Sequence, residues 1–207
     1  MYFPHSLELF IVAISQVFLV LAYFLQLKVL TNLVSPDIFG LFAIVNSIIS
    51  LIQSSFFLPY GMAVIKYWDS LEISNENLVF TVNKSVKKPF LTCVLLSLFI
   101  FTTSKFFDIE FGLILSTGLI TGALSGYCYI LRGVFTSKRK RILVAFLNLA
   151  RPVVFLLFIT TLSRFFQFEL GSLLLILVIT DLVVLLFHEL LFERKLNQKF
   201  FQLIVNS

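Results

Sequence analysis

With 207 residues, of which 59% are hydrophobic and only 13% charged, the chain carries more apolar surface than a soluble core of this length could bury. A mean hydropathy of +1.01 excludes an ordinary soluble domain. The apolar runs are roughly 20 residues long, which fits membrane-crossing helices rather than the short alternating strands of a barrel.

These runs predict an all-α integral membrane protein, a single transmembrane domain over residues 1–207 built as a six-helix bundle. The predicted spans cover about residues 8–31, 38–62, 89–106, 111–135, 142–163 and 170–192. The segment 66–88 is too polar to cross the membrane. We expect it to be a cytoplasmic loop with a short interfacial helix whose lysines meet anionic lipid head groups.

Positive charge is distributed unevenly between the two sides of the predicted bundle. Twelve of the 16 Lys and Arg residues follow spans two and six or surround the turn after span four. The positive-inside rule therefore predicts that both termini lie in the cytoplasm. The net charge of +5 is explained by this topology, so no nucleic-acid partner is expected.

Span one carries a small polar face. Gln16, Tyr23 and Gln26 fall on one broad side of a helix, because seven residues make nearly two whole turns. Lys28 points away from that side and lies near the outer boundary, where its stem can lift the ammonium group into the lipid head groups. We favour this position for Lys28 over a role in binding a ligand.

Span two carries a polar stripe. Asn46, Ser50, Gln53 and Ser54 follow one another at spacings of four, three and one. Amide side chains that faced lipid would lack partners, so this side is expected to face other helices or a wet cavity. The spacing leaves both interpretations open.

Span four carries Gly118, Gly122 and Gly126 at a strict four-residue spacing, which predicts a flat ridge for close helix packing. Ser125 with His188 of span six loosely resembles a rhomboid-type intramembrane serine protease. His188 is expected much nearer the cytoplasmic side than Ser125, whereas a nucleophile and its base must be within hydrogen-bond reach. An enzyme is therefore not expected.

Spans five and six each carry one charge near mid-membrane. Arg151 and Asp181 are predicted at similar depth and can form an ion pair. An uncompensated charge at that depth costs about 2.5–3.5 kcal/mol on insertion scales, and pairing reduces this cost. A structural pair and a part in handling a substrate are both compatible with this position.

Two cysteines, Cys93 and Cys128, both lie in or near predicted spans. Buried apolar thiols are the favoured interpretation, because neither a disulfide framework nor a metal site has support in the sequence. No cofactor is predicted.

Two segments resemble a known family. Residues 33–40, Leu-Val-Ser-Pro-Asp-Ile-Phe-Gly, are similar to the Leu-Ser-Pro-Glu-Glu-Tyr-Gly turn of the polysaccharide flippases, of O-antigen and capsule type, in the multidrug/oligosaccharidyl-lipid/polysaccharide exporter superfamily. Residues 61–67, Gly-Met-Ala-Val-Ile-Lys-Tyr, resemble the Gly-x-x-x-x-x-Arg/Lys-Tyr end of span two in that family, with one residue fewer between the glycine and the lysine. The basic turn after span four also fits.

The resemblance implies the N-terminal six-helix lobe of a two-lobe flippase in the bacterial inner membrane. Such a protein moves undecaprenyl-diphosphate-linked oligosaccharide outward by alternating access, and it contacts membrane lipids. Relatives have about twelve to fourteen spans, so a second six-helix lobe, from a split chain or a homodimer, is an expected partner. The candidate cavity residues are then Gln16, Tyr23, Gln26, Lys28, Asn46, Ser50, Gln53 and Arg151, with Asp181 as a candidate for ion coupling.

Two other functions stay open from the sequence. One is a non-transporting membrane assembly or scaffold subunit. The other is a membrane enzyme of lipid-linked sugar metabolism, which would depend on Ser125 or His188.

Overall fold

A computed structural model describes residues 5–68, 75–107, 110–165 and 168–205, and in these ranges every regular element is a helix. The elements are α1 (His5–Leu33), α2 (Pro36–Ile52), a π-helical turn (Gln53–Phe57), α3 (Leu58–Tyr67), α4 (Asn75–Phe107), α5 (Glu110–Ser137), α6 (Arg141–Leu162) and α7 (Leu170–Val205). Six helical stretches of the described chain are long and apolar enough to cross a membrane, and α2, the π-helical turn and α3 together form one of them. The predicted all-α six-helix bundle is confirmed.

The largest difference from the predicted spans concerns the segment 66–88. Helix α3 continues to Tyr67, and from Asn75 the chain belongs to α4, which runs without interruption into the third span. The interfacial helix is therefore the first part of a long helix rather than a separate element. Residues 69–74 of the expected loop lie outside the described part of the chain.

A π-helical turn interrupts the second span just before Pro59. A proline inside a helix lacks an amide hydrogen, and its ring clashes with the carbonyl group four residues earlier. A π-helical turn widens the backbone at such a point and bends the helix. Of the polar side chains of this span, Asn46 and Ser50 lie on α2, whereas Gln53 is the first residue of the π-helical turn.

Helix α5 is the central element and packs against α2, α3, α4 and α7. Its ridge of three glycines faces the α2 side of the bundle. A methyl group added at any of the three would approach a neighbouring side chain to between 2.5 and 2.8 Å, closer than real contacts allow. The side chains that it would meet are Ile48, Ile52 and Phe57. The glycines thus allow α5 to lie directly against α2 and the π-helical turn.

Two buried apolar clusters fill the bundle. One surrounds Phe57 and Phe135, near the end that carries the basic turn between α5 and α6, which we call the basic end. The other surrounds Phe155 and Leu173, near the opposite end. On α6 and α7, the segments between the two clusters carry the charged side chains of the site.

Replacing Gly122 with alanine is expected to lower the free energy of unfolding by about 1–3 kcal/mol, the usual range for overpacking. The added methyl group would lie 2.8 Å from the Ile52 Cβ atom, which no rotamer change can move. Thermal unfolding of the purified chain in detergent measures the effect.

Gly40→Ala is the matched control, because no atom lies within 4 Å of a Cβ atom at Gly40. Alanine has the higher helix propensity, so this variant should gain up to about 1 kcal/mol. Equal stability of the two variants would show that α5 and α2 are not in close contact at Gly122.

Candidate functional site

A polar cavity of about 190 Å³ lies between α1, α5, α6, α7 and the π-helical turn. Its polar lining consists of Tyr23, Gln53, Ser125, Cys128, Arg132, Asn148, Arg151, Asp181 and His188. Two arginines and one aspartate are the fully charged groups in this lining. The cavity therefore carries more positive than negative charge.

Arg151 and Asp181 form a two-pronged ion pair across the cavity wall. The Arg151 Nε atom lies 2.7 Å from Asp181 Oδ1, and Arg151 Nη2 lies 3.1 Å from Asp181 Oδ2. Such parallel hydrogen bonds are the strongest geometry available to a guanidinium and a carboxylate. Asp181 is only 1% exposed, so the carboxylate depends on Arg151 for compensation of its charge.

Arg132 has different surroundings. Its Nη1 atom donates a hydrogen bond of 2.6 Å to Asn148 Oδ1, its Nε atom donates one of 3.4 Å to the Cys128 carbonyl, and its guanidinium lies 5.8 Å from the centre of the Tyr129 ring. These partners are neutral, and Arg132 forms no ion pair with a carboxylate of the described residues. It contributes a positive charge that the described part of the chain does not neutralise by direct contact.

Ser125 and His188 both line the cavity, although the sequence placed them at different depths. The Ser125 hydroxyl donates to the Thr121 carbonyl at 2.6 Å, and the His188 Nδ1–H group donates to the Val184 carbonyl at 2.7 Å. His188 is fully buried, and its Nε2 atom has no hydrogen-bond partner among the described residues. The ring therefore offers a free polar atom at the cavity wall.

A smaller cavity of about 30 Å³ lies beside the first and shares Tyr23 and Arg151 with it. Gln26 and Asn46 line this space together with Thr180. The Thr180 hydroxyl is fully buried and has no partner within the described ranges. Polar groups from α1, α2, α6 and α7 thus meet on both sides of the Arg151 guanidinium.

Six of the residues predicted from the sequence line one or both of these cavities. They are Tyr23, Gln26, Asn46, Gln53, Arg151 and Asp181. Three others, Gln16, Lys28 and Ser50, are exposed and line neither. The Ser50 hydroxyl donates to the Asn46 carbonyl at 2.9 Å, so its own helix satisfies it and it needs no cavity.

The sequence interpretation missed Arg132 and Asn148 as cavity residues, and it named His188 only for the enzyme alternative. Arg132 was counted with the basic turn that sets the topology. A signal for it does exist: Arg132 lies eight residues before Lys140 and Asn148 lies eight residues after it. Because antiparallel helices joined by a short turn bring such symmetric positions to the same depth, these two side chains meet.

Comparison with family models, with curated proteins and with solved structures finds no match for this chain. The ligand chemistry of the site is therefore inferred from the residues that line the cavity. The groups at the wall are mainly donors or groups that can donate: two guanidiniums, amides and hydroxyls. An arrangement of this kind suits a polar, negatively charged ligand with several acceptor oxygens.

Neutralising one partner of the ion pair, by Arg151→Gln or Asp181→Asn, is expected to lower the free energy of unfolding by roughly 3–5 kcal/mol. Arg151→Gln leaves the buried Asp181 carboxylate without its partner, and Asp181→Asn leaves the partly exposed Arg151 guanidinium without a counter-charge. The double variant should recover most of this loss, because two neutral amides remain. Thermal unfolding of the four proteins in detergent measures the coupling, with the exposed Arg164→Gln as a neutral control. Losses that simply add would mean that the two charges do not stabilise each other.

Water access to the cavity can be tested with two neighbouring positions. In a chain with Cys93→Ala and Cys128→Ala, Gln53→Cys should react readily with a negatively charged thiosulfonate reagent, because Gln53 lines the polar cavity. Leu51→Cys should react slowly, because Leu51 is 63% exposed and lines neither cavity, so lipid excludes both water and reagent there. Mass spectrometry of the labelled chain gives both rates. Equal rates would contradict a wet cavity.

Proposed function

We propose that this chain is one six-helix lobe of a flippase in a bacterial inner membrane, with both termini in the cytoplasm. The cargo is an undecaprenyl-diphosphate-linked oligosaccharide, moved to the outer leaflet by alternating access during polysaccharide synthesis. The observation that carries the proposal is the polar cavity among membrane-spanning helices, in which Arg132 has only neutral contacts. Charged groups at such depth are costly and by default indicate function.

A diphosphate fits the charge of this cavity. Its oxygens can accept hydrogen bonds from a guanidinium in the paired geometry that arginine forms with phosphates. The Coulomb attraction between the two also strengthens away from bulk water. Gln53, Asn148 and Tyr23 add donors that sugar hydroxyls and phosphate oxygens can use.

The need for a second lobe fits the same function, because the described helices leave part of the cavity lining exposed. Tyr23 lines the cavity and is still 45% exposed, and the Arg151 side chain is 26% exposed. Polar groups at membrane depth are unstable against lipid and need protein or water beside them. Transporters built from two repeated halves bind their substrate between those halves.

Asp181 supplies the coupling step of the proposal. A proton or sodium ion that neutralises this carboxylate would loosen the Arg151 pair and leave the guanidinium for the diphosphate. Binding of the cargo and binding of the ion would then be linked through one side chain.

The proposal is tested with geranylgeranyl diphosphate, a soluble stand-in for the cargo, and with the uncharged alcohol geranylgeraniol. Microscale thermophoresis of the purified chain in detergent should show binding of the diphosphate and weaker binding of the alcohol. Arg132→Gln should weaken diphosphate binding by roughly 10–100-fold, the equivalent of one charge-assisted hydrogen bond of about 1.5–3 kcal/mol. It should leave binding of the alcohol unchanged.

Arg164→Gln is the matched control, because Arg164 is an exposed arginine that lines neither cavity. Its affinity for the diphosphate should equal that of the parent chain. Equal loss in both arginine variants would indicate general charge attraction and would remove the cavity from the proposal. Full recovery of folding and of polymer export by the Arg151→Gln and Asp181→Asn double variant would leave that pair a structural role only.

A further inference from the structure

A third space, larger than either polar cavity, lies on another side of α5. It is a groove of about 450 Å³ between α4, α5 and α7, away from the polar cavity. Its lining extends from Ser97 to Lys105 on α4, from Leu113 to Ile120 on α5 and from Gly171 to Val178 on α7. No residue of the two polar cavities belongs to this lining.

The groove runs along the helices rather than across them. On α5 and on α7 the first and last lining residues are seven positions apart, which at a rise of 1.5 Å per residue corresponds to about 10 Å. On each of the three helices the groove begins near the end opposite the basic end and continues toward the middle of the bundle. This is the direction in which a lipid acyl chain lies in one leaflet.

The wall of the groove is mostly apolar, and its polar lining residues are Ser97, Ser116, Thr117 and Lys105. Phe101, Leu113 and Leu174 contribute side chains, and the hydroxyls at the wall include two that are already used. The Ser97 hydroxyl donates to the Ser116 carbonyl at 2.8 Å, and the Ser116 hydroxyl donates to the Leu113 carbonyl. A hydrocarbon chain could therefore lie in the groove without leaving these hydroxyls unsatisfied.

One cation, Lys105, lines the groove. Among the lining residues of α4 it is the one nearest the end of that helix. An exposed ammonium group at the end of a mostly apolar groove suits a phospholipid, whose phosphate group is joined to the head of its acyl chains. Two carboxylates, Asp108 and Glu110, follow Lys105 in the sequence. Their negative charges would repel a phosphate, so the contribution of Lys105 to lipid binding needs a variant of its own.

We infer that this groove binds a phospholipid from the leaflet at the end of the bundle opposite the basic end. One acyl chain lies along α5 between α4 and α7, and the phosphate group contacts the Lys105 ammonium. The site is independent of the proposed transport function. The groove volume of about 450 Å³ lies within the roughly 300–1,000 Å³ that is typical of small-molecule sites. It can hold the part of an acyl chain nearest the head group.

The test uses native mass spectrometry of the purified chain in detergent, with dioleoylphosphatidylglycerol and with dioleoylglycerol, which has the same chains but no phosphate. The parent chain should retain one phosphatidylglycerol molecule and less dioleoylglycerol. Gly171→Leu should abolish retention of both lipids, because a side chain there has room to grow into the groove. Lys105→Gln should lower phosphatidylglycerol retention roughly fivefold and leave dioleoylglycerol unchanged.

Each variant has a matched control at the same end of the bundle. Gly40→Leu adds the same side chain at an open glycine outside the groove, and Lys28→Gln removes an exposed lysine outside it. Both should retain lipid like the parent chain. Equal losses in variants and controls, or no loss in Gly171→Leu, would overturn the inference.

A measurement on the parent chain does not depend on how any variant folds. Phosphatidylglycerol with a photoreactive group in its acyl chain should label peptides that contain residues 113–120 and 171–178. Labelling spread evenly over the lipid-facing helices would show only general solvation by lipid and would overturn the proposed site.

Discussion

The need to compensate charge inside a membrane governs the centre of this bundle. Asp181 is almost fully buried, and its carboxylate has one cationic partner at hydrogen-bond distance, Arg151. Because an isolated charge at that depth is costly, the pair fixes how α6 and α7 are placed against each other. Helix α1 packs on α6, and its Tyr23 lines the same cavity as Arg151. The polar cavity thus forms around an interaction that the fold itself requires.

A second constraint decides which side chains of the second span can reach this cavity. The glycine ridge of α5 lets α2 approach closely, and the π-helical turn before Pro59 changes the direction of the residues that follow Ile52. Gln53 therefore faces the cavity, while the nearby serines of α2 stay on the surface and bond to their own helix. The α5 glycines, Pro59 and the π-helical turn together place the Gln53 amide at the cavity wall.

The features that the sequence predicted well are those governed by length and repeated spacing. Six spans follow from hydropathy, the ridge follows from glycines every fourth residue, and the meeting of Arg151 with Asp181 follows from equal depth. The π-helical turn has no comparable signal, because a single proline predicts a bend without showing which residues widen. The cavity position of Arg132 was not predicted, because an arginine near a helix end is readily explained by the positive-inside rule. Only the symmetry of the α5–α6 hairpin about its turn shows that it meets Asn148 inside the bundle.

The two arginines of the cavity differ in what a ligand must displace. A phosphate that reached Arg132 would add a charged partner to a group that now has neutral contacts, so no existing ion pair would break. A phosphate that reached Arg151 would have to compete with the Asp181 carboxylate, which already holds both prongs of the guanidinium. In the proposed transporter, Arg132 would therefore bind cargo first, and Arg151 would follow only when Asp181 is neutralised. Alternating access needs a group whose partner differs between two states, because a ligand shifts an equilibrium only by its difference in affinity. Arg151 has the contacts for that exchange, and Arg132 does not.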